Sequence, residues 1–151
     1  MVTTSLRPIG TPPESARRRG PILLVDDEPY ILRSLSYLLT REGYDVEMAA
    51  NGEEGLNRLR QLRPPLVFLD IMMPRMNGYE VCEEIKQDPA LAETYVIMLS
   101  AKGQQIDMER GLLGGADEYM TKPFSPREIA RRVHELLNGA DMGGAVAFEG
   151  Q

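Results

Sequence analysis

Three short apolar runs that each end at a polar residue constrain the fold of this chain more than any other feature. The runs cover residues 22–25, 66–69 and 96–99. A continuous apolar run of this length, bounded by turn-forming residues, predicts a strand that is buried on both faces. Such strands belong to parallel sheets that helices cover on both sides. Asp26, Asp70 and Ser100 follow the three runs directly, so we expect them at the carboxyl ends of interior strands.

Helical patterns alternate with these runs. After the first run, apolar residues recur at positions 31, 35, 38 and 39 with the period of an α-helix. Asp27 is predicted to cap this helix, with Pro29 in its first turn and Gly43 after its end. Further helices are predicted around residues 56–62, after Asn77-Gly78, over about 104–113, and from Ser125 to Asn138-Gly139.

The other two strands complete an α/β pattern. Residues 44–49 alternate apolar and polar side chains, which is typical of an edge strand, and residues 117–120 predict a short fifth strand. Five strands that alternate with five helices predict a doubly wound parallel sheet. Right-handed crossovers, with the second strand at an edge, favour the order 2-1-3-4-5 of flavodoxin-like folds. We expect a single domain over residues 21–139, a disordered basic tail over 1–20 and a flexible tail over 140–151.

Composition excludes several classes of function. The formal net charge of −6 argues against direct nucleic-acid binding, because such proteins normally carry a basic face. The single cysteine, Cys82, cannot form an internal disulfide, and the N-terminus lacks a secretory pattern, so we expect a cytoplasmic protein. No apolar run approaches the roughly 20 residues that are needed to cross a membrane.

The strand ends collect groups that suit phosphoryl chemistry. Ligands of open α/β sheets bind where the strand order reverses, which places Asp26, Asp27 and Asp70 together. Clustered carboxylates repel and need a cation or shifted pKa values, and an all-oxygen ligand set favours Mg²⁺ over zinc. Ser100 and Lys122 end the next two strands and can bind phosphate oxygens. The sequence therefore predicts transfer of a phosphoryl group onto Asp70, whose carboxylate acts as the nucleophile.

Four segments of the chain follow one another in this order: LLVDDEP, LVFLDIMMPRMNGYE, IMLSAKG and GADEYMTKPFS. Together they resemble the receiver domain of bacterial two-component response regulators. The resemblance covers about residues 21–139 and implies that Asp70 is the phosphoacceptor. It also implies that Asp26, Asp27, Asp70 and the main-chain carbonyl of Met72 bind Mg²⁺.

The same resemblance implies a conformational switch. Ser100 should close onto the phosphoryl group, and Tyr119 should turn inward when Ser100 moves. Lys122 should pair with the phosphoacceptor, and the Lys122–Pro123 peptide bond is expected to be cis. We expect the switch to act on a downstream protein target.

The resemblance also implies how the phosphoryl group is received and how it is lost. Its members are switches rather than enzymes, and they receive the phosphoryl group from a histidine kinase or a phosphotransfer protein. Two positions that tune the lifetime of the phosphate correspond to Met72 and Lys102 in this sequence. Because the Met72 side chain cannot orient an attacking water, we expect slow self-dephosphorylation.

Two alternatives stay open at this point. A phosphatase of the haloacid dehalogenase type also uses a strand-end Asp with Mg²⁺, but it carries a second Asp where this chain has Met72. The other alternative is the receiver part of a DNA-binding transcriptional regulator. Asp117, Glu118, Glu128 and Arg132 resemble the dimer face of the winged-helix group of such regulators.

Met108 departs from that dimer face, because the winged-helix group usually has a basic residue at this position. No output domain follows residue 139 in the sequence given. We therefore expect a stand-alone receiver, as a monomer or a phosphorylation-dependent homodimer, without direct contact to nucleic acid or membrane.

Overall fold

Five strands and four α-helices alternate along the part of the chain that the computed structural model describes, residues 20–101, 115–122 and 124–147. The strands are β1 (Ile22–Val25), β2 (Val46–Ala49), β3 (Leu66–Asp70), β4 (Tyr95–Ser100) and β5 (Glu118–Thr121). The helices are α1 (Pro29–Arg41), α2 (Gly52–Leu62), α3 (Gly78–Gln87) and α4 (Pro126–Ala147), with a 3₁₀ turn at Pro89–Leu91. The helix predicted over 104–113 and most of the predicted tails lie outside the described residues.

The strands form one parallel sheet in the order β2-β1-β3-β4-β5, which confirms the predicted topology. The alternating second strand lies at an edge, as its pattern predicts. In the register, Val25 pairs with Leu69 and Asp70 pairs with Leu99, so the carboxyl ends of the three central strands lie side by side. Residues that follow these ends therefore share one edge of the sheet.

Each face of the sheet is covered by its own apolar core. One core joins the strands to α2 and α3 through side chains such as Val25, Leu59 and Val81, none of which is exposed. The other joins the opposite face to α1 and α4 around Phe68 and Val133, which are also fully buried. Each fully buried side chain of this size contributes about 1.5–3 kcal/mol to the free energy of folding. The two apolar layers therefore stabilise the sheet and the position of its edge.

The predicted helix boundaries are partly wrong. Asp27 does not cap α1, because Glu28 occupies the cap position without a side-chain bond and Asp26 Oδ1 accepts from the Glu28 N–H at 2.9 Å. The last helix does not end at Asn138-Gly139 but continues to Ala147. A glycine ends a helix only where the backbone turns left-handed, and α4 passes through Gly139 in the helical conformation. The predicted cap at Ser125 is confirmed, since its hydroxyl accepts from the Glu128 N–H.

A close main-chain approach fixes the loop after β3. The Gly78 N–H donates to the Ile71 carbonyl at 2.8 Å, which folds the loop back onto the end of the strand. A Cβ atom at Gly78 would lie 2.4 Å from the Asp70 carbonyl oxygen. Glycine is therefore required at this position, because any side chain would push the loop away from Asp70. Within the described segments, no helix combines the length and apolar character that a membrane crossing requires.

Candidate functional site

Three carboxylates meet at the edge of the sheet where β1 and β3 end. Asp26 and Asp27 follow β1, and Asp70 is the last residue of β3. Each of them offers an oxygen that lies within 4.8 Å of the others. Asp26 and Asp70 are 1% and 4% exposed, whereas Asp27 is open to solvent. The structure thus brings together the carboxylates that the strand ends predict.

Lys122 reaches this cluster from the end of β5. Its Nζ lies 2.9 Å from Asp26 Oδ2 and 3.4 Å from Asp70 Oδ1. A third carboxylate, Glu28 Oε1, lies 3.7 Å away and is largely exposed. The sequence analysis did not single out Glu28, although its place directly after the acidic pair is a signal that could have found it. One ammonium group therefore faces several carboxylates in a partly buried pocket.

Burial and repulsion set the protonation of the carboxylates. Burial, reinforced by the neighbouring Asp26 charge, raises the pKa of Asp70 to about 7 despite the nearby Lys122. Burial also raises the pKa of Asp26, although the Glu28 N–H and Lys122 oppose this effect. Burial alone would lower the pKa of Lys122, but the contacts with Asp26, Asp70 and Glu28 outweigh it and raise that pKa. The pocket thus carries more negative charge than a single lysine compensates.

The donor atoms of this pocket fit a hard divalent cation. The set consists of oxygens, and the three carboxylates are close enough to share one ion. Mg²⁺ prefers such ligands and retains waters that phosphate oxygens can replace. Burial is the main cause of the raised pKa values of Asp26 and Asp70, and a cation bound beside these carboxylates would favour their charged forms.

The predicted switch residues lie on β4 and β5 beside this pocket. Ser100 is 1% exposed, and its Oγ lies 3.5 Å from the Met120 carbonyl oxygen on β5. The Lys122 N–H donates to the Ser100 carbonyl at 2.7 Å, which joins the ends of the two strands. Tyr119 is half-buried and packs against the core beneath α2 and α3. Ser100 and Tyr119 are therefore connected to Lys122 through the β4–β5 pair.

One of the two predicted tuning positions, Met72, belongs to the loop after β3. The Met72 side chain is 63% exposed and follows Asp70 by two residues. Arg75, in the same loop, has a left-handed backbone with a φ of 69°, an unusual conformation for a residue other than glycine. Lys102, Met108 and the peptide bond to Pro123 lie outside the described residues.

The four residues of the predicted dimer face are separated into two groups. Glu118 and Arg132 pair with each other, with the Arg132 Nη2 2.8 Å from Glu118 Oε1. Glu128 lies in the first turn of α4 and is exposed. Asp117 instead turns toward α3, where its Oδ2 accepts from the Val96 N–H at 2.8 Å and lies 3.4 Å from Lys86 Nζ.

Tyr95 and Glu135, which the sequence analysis did not select, complete the Arg132 contacts. Tyr95 Oη donates to Glu118 Oε1 at 2.9 Å and accepts from Arg132 Nη2 at 3.1 Å. Glu135 Oε1 lies 3.1 Å from Arg132 Nη1. Only the contacts across β4, β5 and α4 reveal this group, because its members are far apart in the sequence.

Comparison with known protein families gives one match over most of the chain. Residues 22–134 match the family described as the response regulator receiver domain. The alkaline phosphatase synthesis transcriptional regulatory protein PhoP of Bacillus subtilis is 45% identical over 121 residues, which cover 80% of this chain and 50% of that protein. The DNA-binding response regulator MtrA of Mycolicibacterium smegmatis is 41% identical over 119 residues, which cover 79% of this chain and 51% of that protein. The chain thus spans about half the length of these curated relatives.

Solved structures show the same fold over whole receiver domains. A putative response regulator from Chloroflexus aurantiacus superposes with a TM-score of 0.72 at 33% identity, covering 79% of this chain and 98% of that one. A response regulator receiver domain protein from Methanospirillum hungatei superposes with a TM-score of 0.73 at 33% identity, covering 83% and 98%.

Proposed function

Because this chain belongs to the response regulator receiver domain family, we propose that it accepts a phosphoryl group on Asp70 from a histidine kinase or a phosphotransfer protein. The observation that carries this proposal is the position of Lys122 Nζ, between Asp26 and Asp70 at the carboxyl edge of the sheet. This arrangement holds a nucleophilic carboxylate and a fixed positive charge side by side, as phosphoryl transfer requires.

The transfer reaction is a displacement at phosphorus. An Asp70 carboxylate oxygen forms a bond to phosphorus as the bond from phosphorus to the histidine nitrogen of the donor breaks, and the imidazole keeps the electron pair of that bond. Lys122 offsets the charge on the phosphoryl oxygens, and the Ser100 hydroxyl can donate a hydrogen bond to one of them. Asp26, Asp27, Asp70 and the Met72 carbonyl would hold Mg²⁺, which supplies charge neutralisation for the phosphoryl oxygens.

Phosphorylation of Asp70 would act on the surface formed by β4, β5 and α4. Ser100 would move toward the phosphoryl group and leave the Met120 carbonyl, which changes the packing around Tyr119. A switch that goes from about 1% to about 99% active needs about 5.5 kcal/mol of differential stabilisation. A hydrogen bond to a charged group contributes about 1.5–3 kcal/mol, so the Ser100 contact would supply part of this difference and the ion pair with Lys122 a further part.

The first test is phosphorylation by a small-molecule donor. Radiolabelled acetyl phosphate with Mg²⁺ should label the wild-type chain, whereas Asp70→Asn should remain unlabelled because the amide is not a nucleophile. Asp45→Asn, which changes an exposed carboxylate outside the cluster, should be labelled like the wild type. Equal labelling of Asp70→Asn and the wild type would contradict the proposal. Profiling against candidate histidine kinases would then identify the natural donor.

The second candidate is the receiver part of a DNA-binding transcriptional regulator. The relatives PhoP of Bacillus subtilis and MtrA carry transcriptional or DNA-binding roles in their names, and this chain covers about half of each. In that mode, phosphorylation of Asp70 would cause the face of β5 and α4 to bind a second copy of the chain rather than another protein. The phosphatase alternative is disfavoured because Met72 has no carboxylate where such enzymes carry their second Asp, and turnover of a phosphomonoester would revive it.

A further inference from the structure

The strand that carries Lys122 depends on few main-chain bonds. Within the described residues, β5 has four residues and pairs with β4 alone, from Ile97–Glu118 to Ser100–Thr121. None of its residues is fully buried. Lys122 follows directly, and its ammonium group must stay within about 3 Å of the carboxylates to form hydrogen bonds with them. A short and partly exposed strand needs additional anchors to hold a side chain this accurately.

One anchor lies on the α3 side of the sheet. The Asp117 N–H donates to the Val96 carbonyl at 3.0 Å, and Asp117 Oδ2 accepts from the Val96 N–H at 2.8 Å. Lys86 Nζ on α3 lies 3.4 Å from the same oxygen and 3.2 Å from the Thr94 carbonyl oxygen. These contacts fix the start of β5 against β4 and α3.

The other anchor lies on the α4 side. Arg132 Nε lies 2.9 Å and 3.0 Å from the two carboxylate oxygens of Glu118, and Nη2 lies 2.8 Å from Oε1. Such a multiple contact between a guanidinium and a carboxylate restricts both position and orientation. Tyr95 from β4 accepts a further hydrogen bond from Arg132 Nη2, and Glu135 from α4 accepts one from Nη1. Arg132 thus ties the first residue of β5 to α4, which the second core packs against the sheet.

We propose that Arg132 is a positioning residue for phosphorylation of Asp70, because its ion pair with Glu118 holds β5 in the place from which Lys122 reaches the acidic cluster. This inference rests on the proposed function and concerns how the same site is kept ready. Glu118 and Arg132 thus position β5 within one chain, and this role is separate from any contact with a second molecule. Tyr95 supports this role, because its hydroxyl bridges the same two side chains.

The test compares two adjacent arginines. Arg132→Met should lower the rate of labelling by acetyl phosphate about five- to twentyfold, because the anchor of β5 is lost. Arg131→Met is the matched control: Arg131 is 59% exposed and has a 3.5 Å contact with Glu135, so its rate should stay within twofold of the wild type. Arg132→Lys should recover part of the rate, since an ammonium keeps one of the contacts with Glu118. A small donor excludes effects on docking of a protein partner.

A double substitution separates positioning from a general loss of structure. In a Lys122→Ala background, Arg132→Met should change the slow labelling rate less than twofold, because the group that Arg132 positions is absent. Equal losses in both backgrounds, or equal rates for Arg132→Met and Arg131→Met, would overturn the inference. A wild-type chain that takes no label would instead contradict the proposed function itself, so the two failures are distinguishable.

Discussion

At the scale of single residues, the site is defined by an excess of negative charge. Asp26 and Asp70 are almost fully buried, and Lys122 alone among the described cations contacts both. The sequence could predict this meeting of groups, because each of them ends a strand of a parallel sheet. It could not predict the contact of Lys122 with Glu28, which depends on the length and direction of two side chains.

The free energy of unfolding should depend on whether Asp70 is charged. Burial raises the pKa of Asp70 from 3.8 to about 7, so between these pH values the unfolded chain has lost a proton that the folded chain keeps. The contribution of Asp70 to the free energy of unfolding of the wild type therefore falls as the pH rises from about 4 to about 7. Asp70→Asn cannot ionise and should be more stable above pH 7, by up to about 4 kcal/mol without divalent ions.

Thermal unfolding in EDTA at pH 4, 6 and 8 measures this difference. The advantage of Asp70→Asn should be small at pH 4, grow by pH 8 and shrink when Mg²⁺ is added. A difference in melting temperature that is the same at every pH would contradict the raised pKa of Asp70.

The lifetime of the phosphate should depend on Met72. Its exposed thioether offers no group that could orient a water toward the acyl phosphate, so we expect a half-life of minutes or longer. Met72→Asn should shorten that half-life several-fold, because an amide can hydrogen-bond to the attacking water. Met48→Asn is the control, since Met48 is also exposed but lies on β2. Decay within seconds in the wild-type chain would show that this explanation is wrong.

At the scale of elements, the apolar runs and the alternating run predict the sheet because they indicate how much of each strand is buried beneath the helices. The bounds of helices depend on local hydrogen bonds, and these are harder to predict. Asp26 rather than Asp27 accepts from the turn before α1, and Gly139 lies inside a helix instead of after it. The network around Arg132 could not be predicted either, since it joins residues from β4, β5 and α4.

The loop between β3 and α3 should tolerate no side chain at Gly78. A Cβ there would lie 2.4 Å from the Asp70 carbonyl oxygen and 2.9 Å from the Ile71 Cα. Gly78→Ala should therefore lower the free energy of unfolding by about 1–3 kcal/mol, as expected when a tightly packed site is overfilled. Urea denaturation measures the loss, and Glu83→Ala, at an exposed position of α3, should have little effect. Equal stability of Gly78→Ala and the wild type would contradict the close approach.

At the scale of the whole molecule, the question is whether the chain acts alone or as a pair. The charges of Glu118 and Arg132 compensate each other within one chain, which leaves fewer unpaired charges for a second copy. Its relatives include a longer protein named as a DNA-binding response regulator, MtrA, and the present chain covers about half of that protein.

We expect the chain to remain monomeric with and without beryllofluoride, which mimics the phosphoryl group on an aspartate. Sedimentation at several protein concentrations measures the state directly. A dimer that forms only with beryllofluoride would overturn this prediction and favour the mode of a transcriptional regulator. In that case Glu128→Lys should weaken the dimer, because Glu128 is an exposed charge of the face.

Every group proposed to handle phosphate lies at or just beyond the end of a strand, while the strands themselves are joined by main-chain bonds and apolar side chains. Changes at the exposed Asp27 or Met72 therefore leave the interior framework intact. An engineer could exchange the connecting loops to alter signal duration or partner choice and expect the same scaffold to assemble. Natural variation is subject to the same freedom, so the timing of such a switch can diverge much faster than its architecture.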